Sequence, residues 1–321
     1  MTDFLDLAIC STCGTQFPTP SNPASCKICD DPRQYVPPTG QSWTTLRALR
    51  ASQSPSYANV FTPDPIHKDA LLSIHTEPKQ AIGQRAYLCR TGIKRSSGLG
   101  TFNLLWDCIT YIDDETVTKI KELGGIDAIV ISHPHYYTAH LVWAQIFDCP
   151  IYLSAEDEEW AVVRGERQVF FKGGELCFSG IGSWGSGVVG SEKKEGQAEL
   201  VVIKTGGHFP GSTVLWWKKL RTLLIADSIA VVPSARYWVD RSPGTASFTF
   251  MWSYPNMIPL SADDVHVIWK AIRHTDFEIT RGAFVGMDTD TDSKNRFLDS
   301  AKIFVKAMGY LDHAIHQEEC R

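Results

Sequence analysis

An apolar run, Ile126 to Ile131, breaks into SHPHYYTAH, Ser132 to His140, where three histidines fall within eight positions. His133 follows a short buried strand, and His135 lies two residues on. In extended backbone, positions i and i+2 face the same side, and Pro134 stiffens the bend between them. Two imidazoles leaving a core strand in this way are presented to one ion, whereas a single core histidine is ordinarily a satisfied polar group. The chain beneath them is therefore expected to be a sheet whose strands deliver polar groups at their ends. Two later segments share that build. LVVIKTGGHFPGS runs a strand into Gly206, Gly207 and His208, and TLLIADSIA places Asp227 where a strand leaves the core.

A second constraint sits near the N-terminus. CSTC (Cys10, Cys13) and CKIC (Cys26, Cys29) are separated by twelve residues, and Gly14 follows the first pair where a metal knuckle needs a permissive backbone. Two thiolates spaced this way fit one side of a tetrahedral zinc ion, and the second pair supplies the other side. The segment between them is too polar to build a core, so the metal is expected to supply much of its folding energy. A redox pair would precede a helix in a βαβ unit; here turn residues surround both pairs. The other five cysteines show no framework pattern. A Pro-rich linker, Asp30 to Gly40, then leads to a main body starting near Trp43, so the expected domains are residues 1–42 and 43–321.

In the main body, LLSIHTEP, QRAYLCRTG and TFNLLWDCITYI read as strands. Helices are expected over Asp113 to Gly125, over SADDVHVIWKAI with Ser261 as N-cap, and from about Lys294 to His316. The net charge of −5 gives no electrostatic case for nucleic-acid or membrane partners. No apolar run reaches the roughly 20 residues of a membrane span, and the opening lacks a basic signal-peptide region, so the expected location is the cytoplasm. GIGSWG (Gly180 to Gly185) lacks a following helix and reads as a loop, not a dinucleotide site. The Asp288 to Asp299 stretch mimics an EF-hand but lacks its glycine and final glutamate; helix capping accounts for it better.

Taken in order, LLWDC, HPHYYTAH, GGHFPGS and IADS resemble the metallo-β-lactamase fold superfamily across roughly residues 70 to 285. The resemblance implies an α/β fold, an αββα sandwich, here preceded by a small zinc-ribbon-like segment. It implies that His133, His135 and His208 hold a metal, with Asp227 as fourth ligand and Asp107 as a supporting aspartate behind them. The departures are as informative. The superfamily's second metal uses an aspartate and a histidine where this chain has Tyr137 and Thr138, and a late histidine where it has Ala283. A single catalytic metal is therefore implied. His140 is a candidate for reaching the metal or orienting its water, with a surface or supporting role as the blander account, and His274 is a loose substitute for the late ligand.

Three imidazoles and a carboxylate suit zinc, with iron or manganese also compatible. Such an ion lowers the pKa of its water to about 7 and polarises a carbonyl. The expected protein is a cytoplasmic hydrolase using metal-bound hydroxide on a small-molecule ester, lactone, lactam or thioester. It would carry one structural and one catalytic zinc. General acid–base work falls to Asp227, His140 or Tyr137, and Tyr136, Arg236, Tyr237 and Trp238 are candidate pocket residues. The alternative from another class is a non-catalytic relative whose ribbon mediates partner contacts. A nuclease is disfavoured because such relatives use two metals and usually a basic surface, and the sequence shows neither.

Overall fold

Short apolar runs cut by Gly, Pro and charged turns have too little length to form helices, and they pair instead as strands. The computed structural model describes residues 4–95, 97–178, 199–237 and 244–320. The chain divides into two compact units, one running through Phe171 and the other from Lys172 onward.

In the first unit, β1 (Ile9–Cys10) pairs antiparallel with β2 (Trp43–Thr44), tying the cysteine segment to the chain beyond the proline-rich stretch. A helix, α1 (Leu46–Ala51), follows, with Thr45 accepting the Ala48 N–H as its cap. A seven-stranded sheet then runs in sequence order. Its first four strands, β3 (Ala58–Pro63), β4 (Leu71–Glu77), β5 (Arg85–Lys94) and β6 (Thr101–Trp106), form an antiparallel meander. Along β4, Leu72, Ile74 and Thr76 are buried while Ser73 and His75 are half-buried, the period-2 pattern of a strand with one core face. The sheet turns parallel at β7 (Ala128–Val130), β8 (Ile151–Ser154) and β9 (Gln168–Phe171). Parallel neighbours need crossovers, which α2 (Asp114–Glu122), α3 (His140–Phe147) and a 3₁₀ helix, Ala155–Trp160, supply. The Asp113 carboxylate caps α2 by accepting the Thr116 N–H. Gly124 and Gly125, both at positive φ, stop it where the sequence placed the break.

The second unit carries a six-stranded sheet ordered β10-β11-β12-β13-β18-β19. Antiparallel pairing joins β10 (Glu175–Phe178), β11 (Leu200–Lys204), β12 (Thr213–Trp217) and β13 (Thr222–Leu224). Two hairpin-like pairs follow, β14 (Ala230–Val231) with β15 (Phe248–Thr249) and β16 (Met251–Ser253) with β17 (Ile258–Pro259). The helix α4 (Ala262–Ile272) then returns the chain to β18 (Ile279–Arg281), parallel to β13 and antiparallel to β19 (Asp288–Thr289). Ser261 caps α4 by accepting the Asp264 N–H, as its sequence position predicts. The core gathers Ile203, Val214, Phe250, Trp269 and Phe297, with the Trp269 and Phe297 rings stacked at 6.0 Å.

The last helix, α5 (Ser293–Ala307), is shorter than expected: Gly309 at φ +94° breaks it, and only a 3₁₀ turn, Ala314–Gln317, follows. Its capping also differs. Asp292 sits at φ +52° with no cap hydrogen bond to the helix backbone, and its carboxylate instead takes the Asn295 amide. Among the described residues, no helix is long and apolar enough to cross a membrane.

Candidate metal centre

The four cysteines meet as their spacing predicts. Their thiols are buried and unbridged, with Cys10 and Cys29 Sγ 3.5 Å apart and Cys13 and Cys26 Sγ 3.6 Å apart. Four sulfurs about 2.3 Å from one ion at tetrahedral angles lie roughly 3.8 Å apart, so the cluster has the dimensions of a closed metal site. Hydrogen bonds from Cys13, Cys26 and Cys29 pull the Cys10 thiol far below its usual range, while burial drives Cys13 well above it. Four thiolates held this close repel one another, so gathering them needs a cation. The Gln41 amide donates to Cys10 Sγ at 3.1 Å, a neutral donor that suits a thiolate. Gly14, at φ +81°, turns the chain away from Cys13, and a Cβ there would lie 2.1 Å from Thr110 Oγ1.

Beyond β7 the backbone is set by Asp107. This residue closes β6 at φ +61°, and its Oδ1 accepts the Ser132 N–H at 2.7 Å. Ser132 Oγ in turn lies 2.9 Å from His133 Nδ1, so the ring of His133 is oriented from behind. The chain enters a 3₁₀ turn, Pro134–Tyr136, and the His133 and His135 rings come edge to face with centroids 5.2 Å apart. Both are buried. Thr138 sits at φ +38°, a conformation β-branched residues avoid, and the Gln16 N–H of the cysteine segment holds its carbonyl at 3.0 Å.

In the second unit, two left-handed glycines, Gly206 and Gly207, turn the chain from β11 into His208. A Cβ on Gly207 would stand 3.0 Å from Leu260, which explains the residue type there. Ser228 Oγ accepts the His208 N–H and donates to the Gly206 carbonyl. His208 Nδ1 donates to the Met251 carbonyl at 3.1 Å, leaving the Nε2 lone pair as the ligating face. That Nε2 lies 3.9 Å from Asp227 Oδ2. This is too long for a hydrogen bond and near the roughly 3.4 Å between two donors on one tetrahedral ion. Tyr254 braces the turn by donating to the Asp227 carbonyl oxygen, and burial raises its hydroxyl pKa well above the usual range.

The remaining candidates sit differently. His140 Nδ1 donates to the Tyr137 carbonyl and its Nε2 accepts from the Gln168 amide, so both nitrogens are committed inside the first unit. Burial pushes its pKa down to about 4. The Tyr137 hydroxyl donates to the Asp157 carbonyl at 3.2 Å and is held in the neutral form by burial. Tyr136 is fully buried with its ring 5.4 Å from that of His133. His274 pairs with Glu175 at 3.2 Å on the exposed edge of the second sheet. Ala283 is buried just after β18. Arg236 and Tyr237 are exposed, while Trp238 and the Gly180–Gly185 loop lie outside the described residues. Sequence reasoning missed Ser132, Gln84, Ser228 and Tyr254. Gln84, Ser228 and Tyr254 act through contact with distant backbone, and Ser132 through the Asp107 carboxylate and the adjacent His133 ring, which no spacing announces.

Two mixed sheets make up the body of the fold. The first presents a strand-end histidine pair, and the second a Gly-Gly-His turn followed by a strand-end aspartate. Each unit is thus built on a mixed α/β sheet, and the first also carries the N-terminal four-cysteine cluster. The chain belongs to the same family as the uncharacterized protein YmaE of Bacillus subtilis strain 168, at 38% identity over 306 residues, covering 94% of this chain and 96% of that one. No family model matches. Among solved structures, the chain is similar to the metallo-β-lactamase FIM-1 from Pseudomonas aeruginosa, crystallised in a mono-zinc form, at TM-score 0.48 and 13% identity over 78% of this chain and 96% of that one. It is also similar to the chemotaxis sensor ODP from T. denticola, at TM-score 0.46 and 16% identity over 78% and 99%.

Proposed function

We propose that the chain is a metal-dependent hydrolase in which His133, His135, His208 and Asp227 hold one metal ion. The observations that carry this reading lie within each unit: His133 and His135 are buried with their rings edge to face at one turn, His208 and Asp227 are buried beside each other at another, and both histidine-bearing turns are oriented from behind by hydrogen bonds. Zinc suits these ligands, and iron or manganese is compatible. A divalent ion held there supplies an acidified water and polarises a substrate carbonyl.

The chain's own residues do the rest. Met251 and Ser132 orient the rings of His208 and His133, and Asp107 keeps the turn before His133 in register. Asp227 is the one carboxylate of the set and the candidate proton carrier. Tyr137 and Thr138 occupy the positions where superfamily relatives bind a second ion. The Tyr137 proton is committed to the Asp157 carbonyl, which supports a single catalytic metal. His140 keeps a supporting role, joining the histidine turn to β9 through Gln168. The substrate is a small ester, lactone, lactam or thioester, with Arg236 and Tyr237 as rim residues, and the cysteine segment serves as scaffold.

Elemental analysis tests this. Purified wild type is expected to carry about two metal equivalents, falling to about one in His133→Ala/His135→Ala, with hydrolysis of the ester and lactone panel lost in parallel. One equivalent unchanged by the substitutions, and not raised by added metal, would leave the chain a binding module instead.

A further inference from the structure

The cysteine segment and the histidine turn meet at one side chain, Gln84, which is buried at 4% exposure. Its amide nitrogen donates to the Cys13 carbonyl at 2.7 Å and to the His135 carbonyl at 3.2 Å. Both partners are pure acceptors, so the amide must present its two N–H groups to them, and the orientation is fixed by chemistry. One flat carboxamide thus spans a backbone atom of a thiol ligand and a backbone atom of a candidate histidine ligand. Two flanking contacts lie beside it: Gln16 N–H to the Thr138 carbonyl at 3.0 Å, and Thr110 Oγ1 to the Gly14 carbonyl at 2.9 Å. The three bonds reach Cys13, Gly14 and Gln16, the stretch whose path the cysteine cluster sets. The histidine turn, held through Gln84 and Gln16, contains Thr138 at φ +38°, a strained conformation that persists only when its surroundings over-determine it.

We propose that Gln84 is a positioning residue that couples the two sites, so that filling the four-cysteine site pre-organises His135 for its own metal. The inference rests on the reading that His133 and His135 ligate an ion. A metal held by the thiols fixes Cys13 and hence its carbonyl. That carbonyl holds the Gln84 amide, and the amide holds the His135 carbonyl and the turn that aims its ring. The cysteine site is then more than a folding staple: its occupancy sets the affinity of a second, chemically different site. Conditions that strip or oxidise the thiols lower metal retention at the histidines without touching them.

The test uses full-length protein with the thiols filled by cadmium, followed by cobalt(II) titration read by the visible absorption of cobalt on nitrogen and oxygen ligands. Four proteins are compared: wild type, Gln84→Met, Cys26→Ser/Cys29→Ser, and the combination. Met keeps the volume of Gln and removes both donors. Cobalt affinity is expected to fall about tenfold with either change, and the combination is expected to fall no further, because both act through the same bridge. A Gln84→Met protein with wild-type affinity, or losses that add in full, would overturn the coupling. Should Gln84→Met not fold, Gln84→Glu serves in its place, since its carboxylate presents acceptors to two carbonyls and weakens cobalt binding at least as much. Wild type that takes up no cobalt removable by His133→Ala/His135→Ala fails in a distinguishable way, overturning the metal reading itself.

Discussion

At the residue scale, the site is built from groups whose donors and acceptors are spoken for before any ion arrives. Asp107 is the clearest case. Its carboxylate accepts the Ser132 N–H from a left-handed backbone conformation that Asp and Asn tolerate better than Ala. Asp107→Asn keeps an acceptor and the conformational tolerance, and a cost under about 1 kcal/mol is expected. Asp107→Ala strands a buried N–H and strains the backbone, and about 2–4 kcal/mol is expected; urea midpoints of the two variants compare them directly. His140 shows the same economy with a pH signature. Its folded pKa of about 4 lies below the ordinary 6.5, so between those values the unfolded chain binds the extra proton. Stability therefore rises with pH through that window and is lost on acidification, by about 3 kcal/mol in full. His140→Gln should flatten the pH 4 to 6.5 limb of the stability curve, and an unchanged limb would show that other groups carry it. The histidine itself was plain in the sequence. That both its nitrogens face Tyr137 and Gln168 was not, because Gln168 is 28 residues away.

At the level of elements, what the sequence announced was whatever local chemistry decides. The cap of α4 and the start of α2 were readable because Ser261 and Asp113 act within three residues of themselves. The cysteine pairs were readable because their spacing is the ligand geometry. The end of α5 was misjudged: the apolar rhythm continues past Ala307, and one left-handed glycine, Gly309, outweighs it. The change from antiparallel to parallel pairing after β6 could not be read at all, since it depends on which strand the crossover helix returns to. Gly14 joins these levels, being both a local turn signal and a tertiary contact. Gly40 makes the control, at φ +88° with nothing within 4 Å of a built Cβ. Gly40→Ala carries only the backbone cost of about 1 kcal/mol. Gly14→Ala adds collision with Thr110 and should cost about 3 kcal/mol. Equal urea midpoints for the two would mean that Thr110 moves aside freely, and with it the bond that ties this turn to the body.

At the scale of the whole molecule, the two sheet units and the cysteine segment are stabilised by different physics. The second unit has an aromatic and aliphatic core that needs no ion. Around the thiols, the buried apolar company in the cluster is Phe17 and Ile28, with Trp43, Trp160 and Val162 only half-buried. So small a cluster does not offset the conformational entropy of ordering the segment, which is why chains of this kind take a metal staple. An ion bound to the native state alone, at free concentration a thousandfold above its Kd, adds about 4 kcal/mol. For a body of this size that is roughly 8–16 °C of Tm, at about 2–4 °C per kcal/mol. In the His133→Ala/His135→Ala background, where the thiols are the remaining metal site, a tight chelator should therefore lower Tm by about that amount. Adding Cys26→Ser/Cys29→Ser should give the low Tm with or without chelator. If the chelator shifts the histidine variant no further than it shifts the one that also lacks Cys26 and Cys29, the thiols hold no stabilising ion. The Cys13 carbonyl would then be fixed by packing alone, and the path through Gln84 to His135 would have nothing at its far end to transmit.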